Sequence, residues 1–189
     1  KNILKNIGYK DFDKLIEDIN SRKVPASFSG VDVNFYLSNF NNESIQLKKN
    51  AEKVLKGTIN ILGSGDISIK SLDWHRDYKS GYKWPNIRFS KIDTQMLDSS
   101  SDIKFPWELS RMQWLMPLCQ SWFLYKDDKY ADHLKKILIS WINNNKYGYG
   151  PNWSCTMEPS IRVITFVIFY YLCKDSPSWK DAKFINIFL

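Results

Sequence analysis

Hydrophobic residues recur at helical spacing in both halves of the chain, with a short alternating stretch between the halves. Residues 11–22 carry one apolar stripe at i, i+3, i+4 and i+7, which predicts a first helix. Residues 43–56 predict a second helix, which ends at Gly57, a residue type common just after a helix. Residues 23–42 have no sustained period, and they predict a loop with an occasional short strand.

The segment from Thr58 to Ile69 alternates apolar and polar residues on both sides of Gly63-Ser64-Gly65. Alternation around a glycine turn predicts a short β-hairpin. The glycines do not indicate a phosphate-binding loop, because the pattern lacks a third glycine and a following helix. Residues 72–93 then form a long loop rich in aromatic and charged residues, and loops of this kind often carry function.

From Pro106 onward the pattern is helical. We expect a helix kinked at Pro117, followed by an amphipathic outer helix capped by Asp127 or Asp128. The next helix, about 158–174, is apolar on nearly every side and should therefore lie inside. Its apolar run of about a dozen residues is shorter than the roughly twenty that cross a bilayer, so no membrane span is predicted. A last helix starts after Ser176.

Inner and outer helices that alternate through short turns predict a mainly all-α protein. The expected architecture is an incomplete α/α toroid of helical hairpins, with a small β-hairpin near residues 58–69. Strand patterns are too few for an α/β fold. The last helical pattern reaches residue 189 without a stop signal. We therefore expect residues 1–189 to be a single N-terminal helical domain, truncated from a longer protein.

The composition is basic and aromatic. The formal net charge is +7, and 15% of the residues are aromatic, including eight Trp and ten Tyr. A positive charge favours a polyanionic partner, which could be nucleic acid, an acidic polysaccharide or a membrane surface. Trp and Tyr combine a large apolar face with a polar group, as sugar-binding clefts require, although a helical core also uses them. The three Cys residues lack metal-binding spacing, so no metal or cofactor is predicted.

Two predicted helix entrances repeat one set of residue types. The first is "DIKFPWELSR", which contains Lys104, Trp107, Glu108 and Arg111. The second is "NWSCTMEPSIR", which contains Asn152, Trp153, Glu158 and Arg162. In each entrance the Glu and the Arg are three or four residues apart, so that they can pair on one helical face. The two entrances are candidates for the walls of a basic, aromatic groove, and two structural ion pairs are the alternative.

Together with "LDWHRDYKSGYKWP" in the aromatic loop, the entrance motifs resemble the N-terminal helical domain of the heparinase II/III family of polysaccharide lyases, which includes alginate lyase relatives. The three motifs follow the order of that family and cover about residues 70–175. The residues that match the family motifs, and that the resemblance assigns to a substrate-binding cleft, are Trp74, Lys104, Glu108, Arg111, Asn152, Trp153, Glu158 and Arg162. The basic and aromatic members suit sugar contacts, whereas the two Glu would orient the arginines.

The resemblance implies a toroid followed by a large β-sandwich domain, which this sequence lacks. It implies β-elimination at a uronic acid unit of a heparan- or alginate-like polysaccharide, and a periplasmic or secreted location. Family enzymes hold the uronate carboxylate with an Asn and a His, because the neighbouring proton is weakly acidic until that carboxylate is neutralised. This chain contains no Asn-His dipeptide, and its two histidines, His75 and His133, are weak candidates. No catalytic residue is therefore assigned.

Three hypotheses for the function remain open at this point. The first is the N-terminal part of a polysaccharide lyase that supplies the scaffold and the binding cleft for an acidic polysaccharide. The alternative is a non-catalytic protein that binds acidic glycans or takes part in surface-polysaccharide assembly. A nucleic-acid-binding helical array is weaker, because the arginines cluster with aromatic residues at helix entrances and do not line one basic face. The prediction is therefore an acidic polysaccharide partner and no nucleic acid.

Overall fold

A computed structural model of the chain describes residues 2–22, 30–95 and 100–188. Its first four helices are α1 (Asn2–Asn6), α2 (Phe12–Ser21), α3 (Val33–Asn39) and α4 (Asn41–Leu55). The predicted first helix is confirmed as α2, which begins where the Asp11 carboxylate accepts a hydrogen bond from the Lys14 backbone N–H. The second is confirmed as α4, and Gly57 follows its end at a φ of 74°.

Helix α3 corrects the prediction of a loop with short strands over residues 23–42. The Asp32 side chain accepts a hydrogen bond from the Phe35 backbone N–H and so caps a short helix. Seven residues are too few for a periodic pattern to stand out, and the N-cap was the available sequence indication. The part of that prediction on residues 23–29 lies outside the described residues.

The predicted hairpin is confirmed. Strands β1 (Thr58–Ile59) and β2 (Ile67–Ser68) are antiparallel, and Thr58 pairs with Ser68 while Ile59 pairs with Ile67. The loop that follows contains a short 3-10 turn, Phe89–Lys91. An isolated antiparallel bridge joins Arg88 of this loop to Tyr149, far along the chain. The aromatic loop is thereby attached to the second helix entrance.

The second half contains α5 (Lys104–Arg111), α6 (Met116–Tyr125), α7 (Asp128–Asn144), α8 (Met157–Cys173) and α9 (Ala182–Phe188). Three 3-10 turns, Gln113–Leu115, Pro151–Trp153 and Pro177–Lys180, connect them. The predicted kink at Pro117 is wrong. The chain breaks earlier, at Met112, whose φ is 60°, and Pro117 occupies the first turn of α6, where its missing N–H costs nothing. Asp127 caps α7, as predicted.

Helix α6 lies at the centre of the helical array and packs against α4, α7 and α8. Its buried residues include Leu118, Cys119 and Trp122, and α7 contributes Tyr130, Leu134 and Leu138 to the same core. The mainly all-α fold class is confirmed. The closure of these helices into a toroid and the domain limits stay predictions.

Helix α8 was expected to be buried on every side, and this expectation is wrong for the described part of the chain. Its inner side packs against α5 and α6, but Val163, Ile164 and Val167 on the opposite side are 60%, 64% and 43% exposed. No helix within the described ranges combines the length and the hydropathy that crossing a bilayer requires.

Candidate functional site

The two helix entrances predicted from the sequence meet in the structure. Helix α5 packs against α8 and against the 3-10 turn that precedes α8. The Trp107 indole N–H donates a hydrogen bond to the Pro151 carbonyl oxygen at 2.8 Å. Residues 44 positions apart in sequence are therefore held side by side by a partly buried bond between side chain and backbone.

Arg111 joins the two entrances electrostatically. Its Nε and Nη2 donate to the two carboxylate oxygens of Glu158 at 2.9 and 2.8 Å, while Nη1 donates to Glu108 at 2.7 Å. The Glu158 side chain is fully buried, so this bidentate pair is shielded from solvent on the carboxylate side. The hydrogen bonds that Arg111 donates to Glu158 raise the pKa of Arg111.

The predicted pair of Glu108 and Arg111 is confirmed, but the predicted pairing of Glu158 with Arg162 on one face of α8 is wrong. Glu158 bonds to Arg111 of α5, 47 residues away. Nε and Nη2 of Arg111 bond to both carboxylate oxygens of Glu158 at once. This bidentate pair is favoured over the pair of Glu158 with Arg162, four residues along the same helix.

Arg162 has a different environment and is only 3% exposed. Its Nε donates to the Ser110 carbonyl oxygen at 3.1 Å and its Nη2 to the Asn152 carbonyl oxygen at 2.9 Å. The guanidinium carbon lies 4.4 Å from the centroid of the Trp141 ring and 5.2 Å from that of Trp153, within range of a cation–π interaction. Burial lowers the pKa of Arg162 to about 10, against the opposing charge of Glu158, so the group stays ionised at neutral pH.

Asn152 is fully buried and connects the second entrance to the aromatic loop. Its Nδ2 donates to the Asn145 Oδ1 at 2.7 Å and to the Trp74 carbonyl oxygen at 3.1 Å. The same Asn145 oxygen lies 3.2 Å from His75 Nε2. An amide oxygen only accepts hydrogen bonds, so this contact assigns the imidazole proton to Nε2. Burial lowers the pKa of His75, against the opposing effects of Asn145 and Asp73.

The two predicted tryptophans are embedded in the same network. Trp74 is 2% exposed, and its indole N–H donates to Ser140 Oγ at 3.2 Å. Trp153 is partly buried, and its indole N–H donates to the Asn145 carbonyl oxygen at 3.2 Å. Both indoles are therefore oriented by hydrogen bonds, one to α7 and the other to Asn145, which directly follows α7.

The structure thus brings seven of the eight predicted residues together in two bonded groups, which α5 connects through the bond from Arg162 to Ser110 next to Arg111, and we call the whole set the entrance cluster. Its predicted members are Trp74, Glu108, Arg111, Asn152, Trp153, Glu158 and Arg162. Lys104 is exposed on the first turn of α5 and forms no ion pair with a described residue. The buried Asn152 Oδ1 has no hydrogen-bond partner among the described residues, whereas its Nδ2 and the charged groups of the cluster bond to protein groups, which indicates an architectural role. Contact of these eight residues with a substrate stays a prediction.

Sequence reasoning missed Asn145, Trp141 and Ser110, which complete the entrance cluster. Asn145 is the C-cap residue that follows α7, and its Nδ2 donates to the Trp141 carbonyl oxygen at 2.9 Å. Trp141 in turn donates to Ser110 Oγ at 3.1 Å. A polar residue after an amphipathic helix is ordinary, so spacing alone could not mark Asn145 as a hub.

A polar cavity of about 300 Å³ lies beside the cluster, lined in part by Asp73, His75, Lys83 and Asn86. Lys83 pairs with Asp73 at 2.7 Å, and although burial opposes ionisation of Asp73, the bonds from Lys83 and the His75 backbone lower its pKa. Gly150 borders His75, and a Cβ at that glycine would lie 2.7 Å from the imidazole Nε2. The described residues contain no group of three or more His, Cys, Asp or Glu arranged to hold a metal ion.

Comparison with known families gives one match. The family described as heparinase II/III N-terminus matches residues 17–189, which is most of the chain. No curated protein and no solved structure shows significant similarity to the chain. The matched residues include both helix entrances and the aromatic loop, which are the segments that the entrance cluster holds together. The chain belongs to the heparinase II/III N-terminal family.

Proposed function

We propose that this chain is the substrate-binding helical part of a polysaccharide lyase that cleaves an acidic, uronate-containing polysaccharide by β-elimination. The observation that carries the proposal is the family match over residues 17–189. The formal net charge of +7 supports it, because a basic protein attracts a polymer that carries a carboxylate on many of its units.

The entrance cluster supplies the rigidity that such a binding surface needs. The bonds of Arg111 to Glu158, of Arg162 to Ser110 and of Trp107 to Pro151 connect α5 to α8 and its entrance, and the bond of Asn152 to Trp74 connects that entrance to the aromatic loop. A surface held in one geometry binds a ligand with less loss of conformational entropy than a mobile one. In this proposal the cluster positions the groups that touch the polysaccharide, and no catalytic residue is assigned within the 189 residues.

Binding of the intact chain to short alginate- and heparin-derived oligosaccharides, measured by titration calorimetry, tests the proposal. Neutral dextran oligosaccharides and single-stranded DNA are the controls. We expect saturable binding of an acidic oligosaccharide, weakened by added salt, and no binding of dextran. Binding of DNA without binding of either acidic oligosaccharide would contradict the proposal and favour the nucleic-acid hypothesis.

A non-catalytic acidic-glycan-binding or surface-polysaccharide assembly protein is the second candidate. The observation that favours it is the engagement of Asn152 and both entrance arginines in protein contacts. Incubation of the protein with each polysaccharide distinguishes the lyase from the binding protein. A lyase generates an unsaturated uronate that absorbs ultraviolet light, whereas a binding protein leaves the polymer length unchanged.

A further inference from the structure

Two segments next to the entrance cluster run side by side and form one exposed surface. The Phe89 N–H donates to the Gly148 carbonyl oxygen at 2.9 Å, and the Gly150 N–H donates to the Ile87 carbonyl oxygen at 2.8 Å. These two bonds flank the bridge between Arg88 and Tyr149. Arg88 and Tyr149 are therefore a non-hydrogen-bonded antiparallel pair, the kind whose side chains lie closest and point to the same side.

The surface presents an aromatic ring that is held in place and yet exposed. Tyr147 is 82% exposed, and its ring packs edge-on against Trp153 with 5.0 Å between the centroids. Trp153 is itself fixed by its bond to Asn145 and its contact with Arg162. One edge of the Tyr147 ring is thus anchored to the entrance cluster while most of the side chain stays accessible. A supported, solvent-exposed ring is suited to stacking on the apolar face of a sugar.

The two paired segments also carry cations that have no acidic partner among the described residues. Residues 84–92 and 144–157 contain Arg88, Lys91 and Lys146 and no Asp or Glu. Within the described residues, none of these three cations forms an ion pair, unlike Lys53, Lys83, Lys129 and Lys135, which each pair with a carboxylate. The Lys146 ammonium lies 5.1 Å from the centroid of the Tyr149 ring. Tyr149 is also the bridge partner of Arg88. Three cations without a carboxylate partner among the described residues therefore lie on the two segments, and Lys146 directly precedes Tyr147 in the sequence.

We propose that this surface, formed by Arg88, Lys146, Tyr147 and Tyr149 and called here the tyrosine platform, is a subsite for one anionic sugar unit. The pyranose ring stacks on Tyr147, and its carboxylate or sulfate group pairs with Arg88 and Lys146. This assignment rests on the proposed function and specifies where the acidic polysaccharide binds. Of the eight residues matched by the family motifs, Trp153 contacts the Tyr147 ring.

The geometry favours a sugar over single-stranded nucleic acid. Nucleic-acid platforms stack successive bases on several open rings along a charged groove. Here the Tyr149 ring is covered by the Lys146 ammonium, which leaves Tyr147 as the ring with a large exposed fraction, since Tyr149 and Phe89 are each 39% exposed. A single open ring flanked by two cations fits one anionic ring better than a strand of stacked bases.

The test compares platform variants with matched surface controls in the intact chain. The platform variants are Tyr147→Ala and Arg88→Gln. The controls are Phe35→Ala, an aromatic residue on α3 that is 59% exposed, and Lys136→Gln, an exposed cation on α7. Calorimetric titration uses an alginate oligosaccharide, which carries only carboxylates, a heparin oligosaccharide, which also carries sulfates, and single-stranded DNA. Thermal melting of each variant checks the fold.

We expect Tyr147→Ala to weaken oligosaccharide binding about fivefold through the lost ring contact, and Arg88→Gln about tenfold through the lost charge-assisted bond, with both controls unchanged. A loss confined to heparin assigns the subsite to sulfate, and a loss with both ligands assigns it to the carboxylate. Unchanged binding in both platform variants, while the wild type still binds acidic oligosaccharide, overturns the platform and leaves the proposed function intact. A wild type that binds neither oligosaccharide overturns both, and a larger loss for DNA than for oligosaccharide overturns the sugar assignment.

Discussion

The entrance cluster and the tyrosine platform use the same residue types in opposite surroundings. In the cluster, Arg162 is 3% exposed and its guanidinium is satisfied by two backbone carbonyls and two indole faces. On the platform, Arg88 is exposed and lacks an acidic partner among the described residues, and Tyr147 is 82% exposed. A desolvated arginine is committed to its protein partners, whereas a hydrated one can exchange water for a ligand anion. Exposure therefore separates the architectural residues from the candidate recognition residues.

The largest expected difference between the two regions is in stability. Arg162→Ala should reduce the free energy of unfolding by about 3 kcal/mol, because it leaves two buried carbonyls without donors and opens a gap beside two indoles. Arg88→Ala, the matched change on the platform, should alter it by no more than about 0.5 kcal/mol. Urea unfolding followed by tryptophan fluorescence measures both. Equal unfolding midpoints for the two variants would mean that burial does not separate the regions.

Within the cluster, the two carboxylates on Arg111 should differ. Glu158→Gln should cost about 2 kcal/mol, because it leaves the charge of Arg111 without its buried bidentate partner. Glu108→Gln removes a partner that is 22% exposed and should cost about 0.5 kcal/mol. The comparison uses the same chemical change on the same arginine, so it isolates the effect of burial. A larger loss for Glu108→Gln would reverse the assignment of Glu158 as the main partner.

The contribution of His75 to the stability of the fold should be smaller and should depend on pH. Burial holds the folded-state pKa of His75 below its unfolded value of about 6.5, so the unfolded chain takes up a proton more readily. The contribution of His75 to stability is therefore complete above that value and is lost as pH falls toward the folded pKa. His75→Gln, which keeps a donor for Asn145, should flatten the fall in melting temperature between about pH 7.5 and about pH 5.5.

His133→Gln serves as the comparison, because burial and the charge of Lys136 also lower the pKa of His133. Each variant should remove the part of the pH dependence that its own histidine contributes. A wild-type melting temperature that is constant across the window would contradict the lowered pKa of both histidines.

The smallest expected stability change is on the platform itself. Tyr147→Ala should shift the free energy of unfolding by less than about 0.5 kcal/mol, because most of its surface is already hydrated in the folded state. Thermal melting checks this value alongside Trp153→Ala, which removes the ring that supports Tyr147 and accepts the contact of Arg162. If Tyr147→Ala melts as early as Trp153→Ala, the tyrosine is part of the cluster and not of a separate surface.

Local patterns predicted the helices well where an apolar stripe and a cap agreed. Helix α7, predicted with Asp127 or Asp128 as its cap, shows this, and α2 was predicted from its apolar stripe alone. The break at Met112 was not predicted, because no local rule requires a methionine to adopt the left-handed conformation. That conformation separates α5 from α6 and leaves Pro117 in the first turn of α6. The open side of α8 was missed for a related reason. An apolar face indicates burial, but the partner that would cover it is not encoded in the helix itself.

The candidate site shows the same limit at longer range. The sequence placed an acid and an arginine at each entrance, and α5 and α8 do bring them together. It could not show that Glu158 prefers Arg111 to Arg162, because that choice depends on the packing of elements 47 residues apart. Nor could it separate the buried indole of Trp74 from the exposed ring of Tyr147, since both stand in aromatic, polar segments without a period.

Gly150 carries a consequence for the history of this family. Its φ of 80° and ψ of 172° lie in a region open essentially to glycine alone, and a Cβ would also collide with His75. These constraints are independent, so replacing His75 with a smaller residue would relieve only one of them. Among descendants of a common ancestor, glycine at 150 should therefore outlast histidine at 75, and a lineage that has lost this glycine should also show a remodelled loop between α7 and α8.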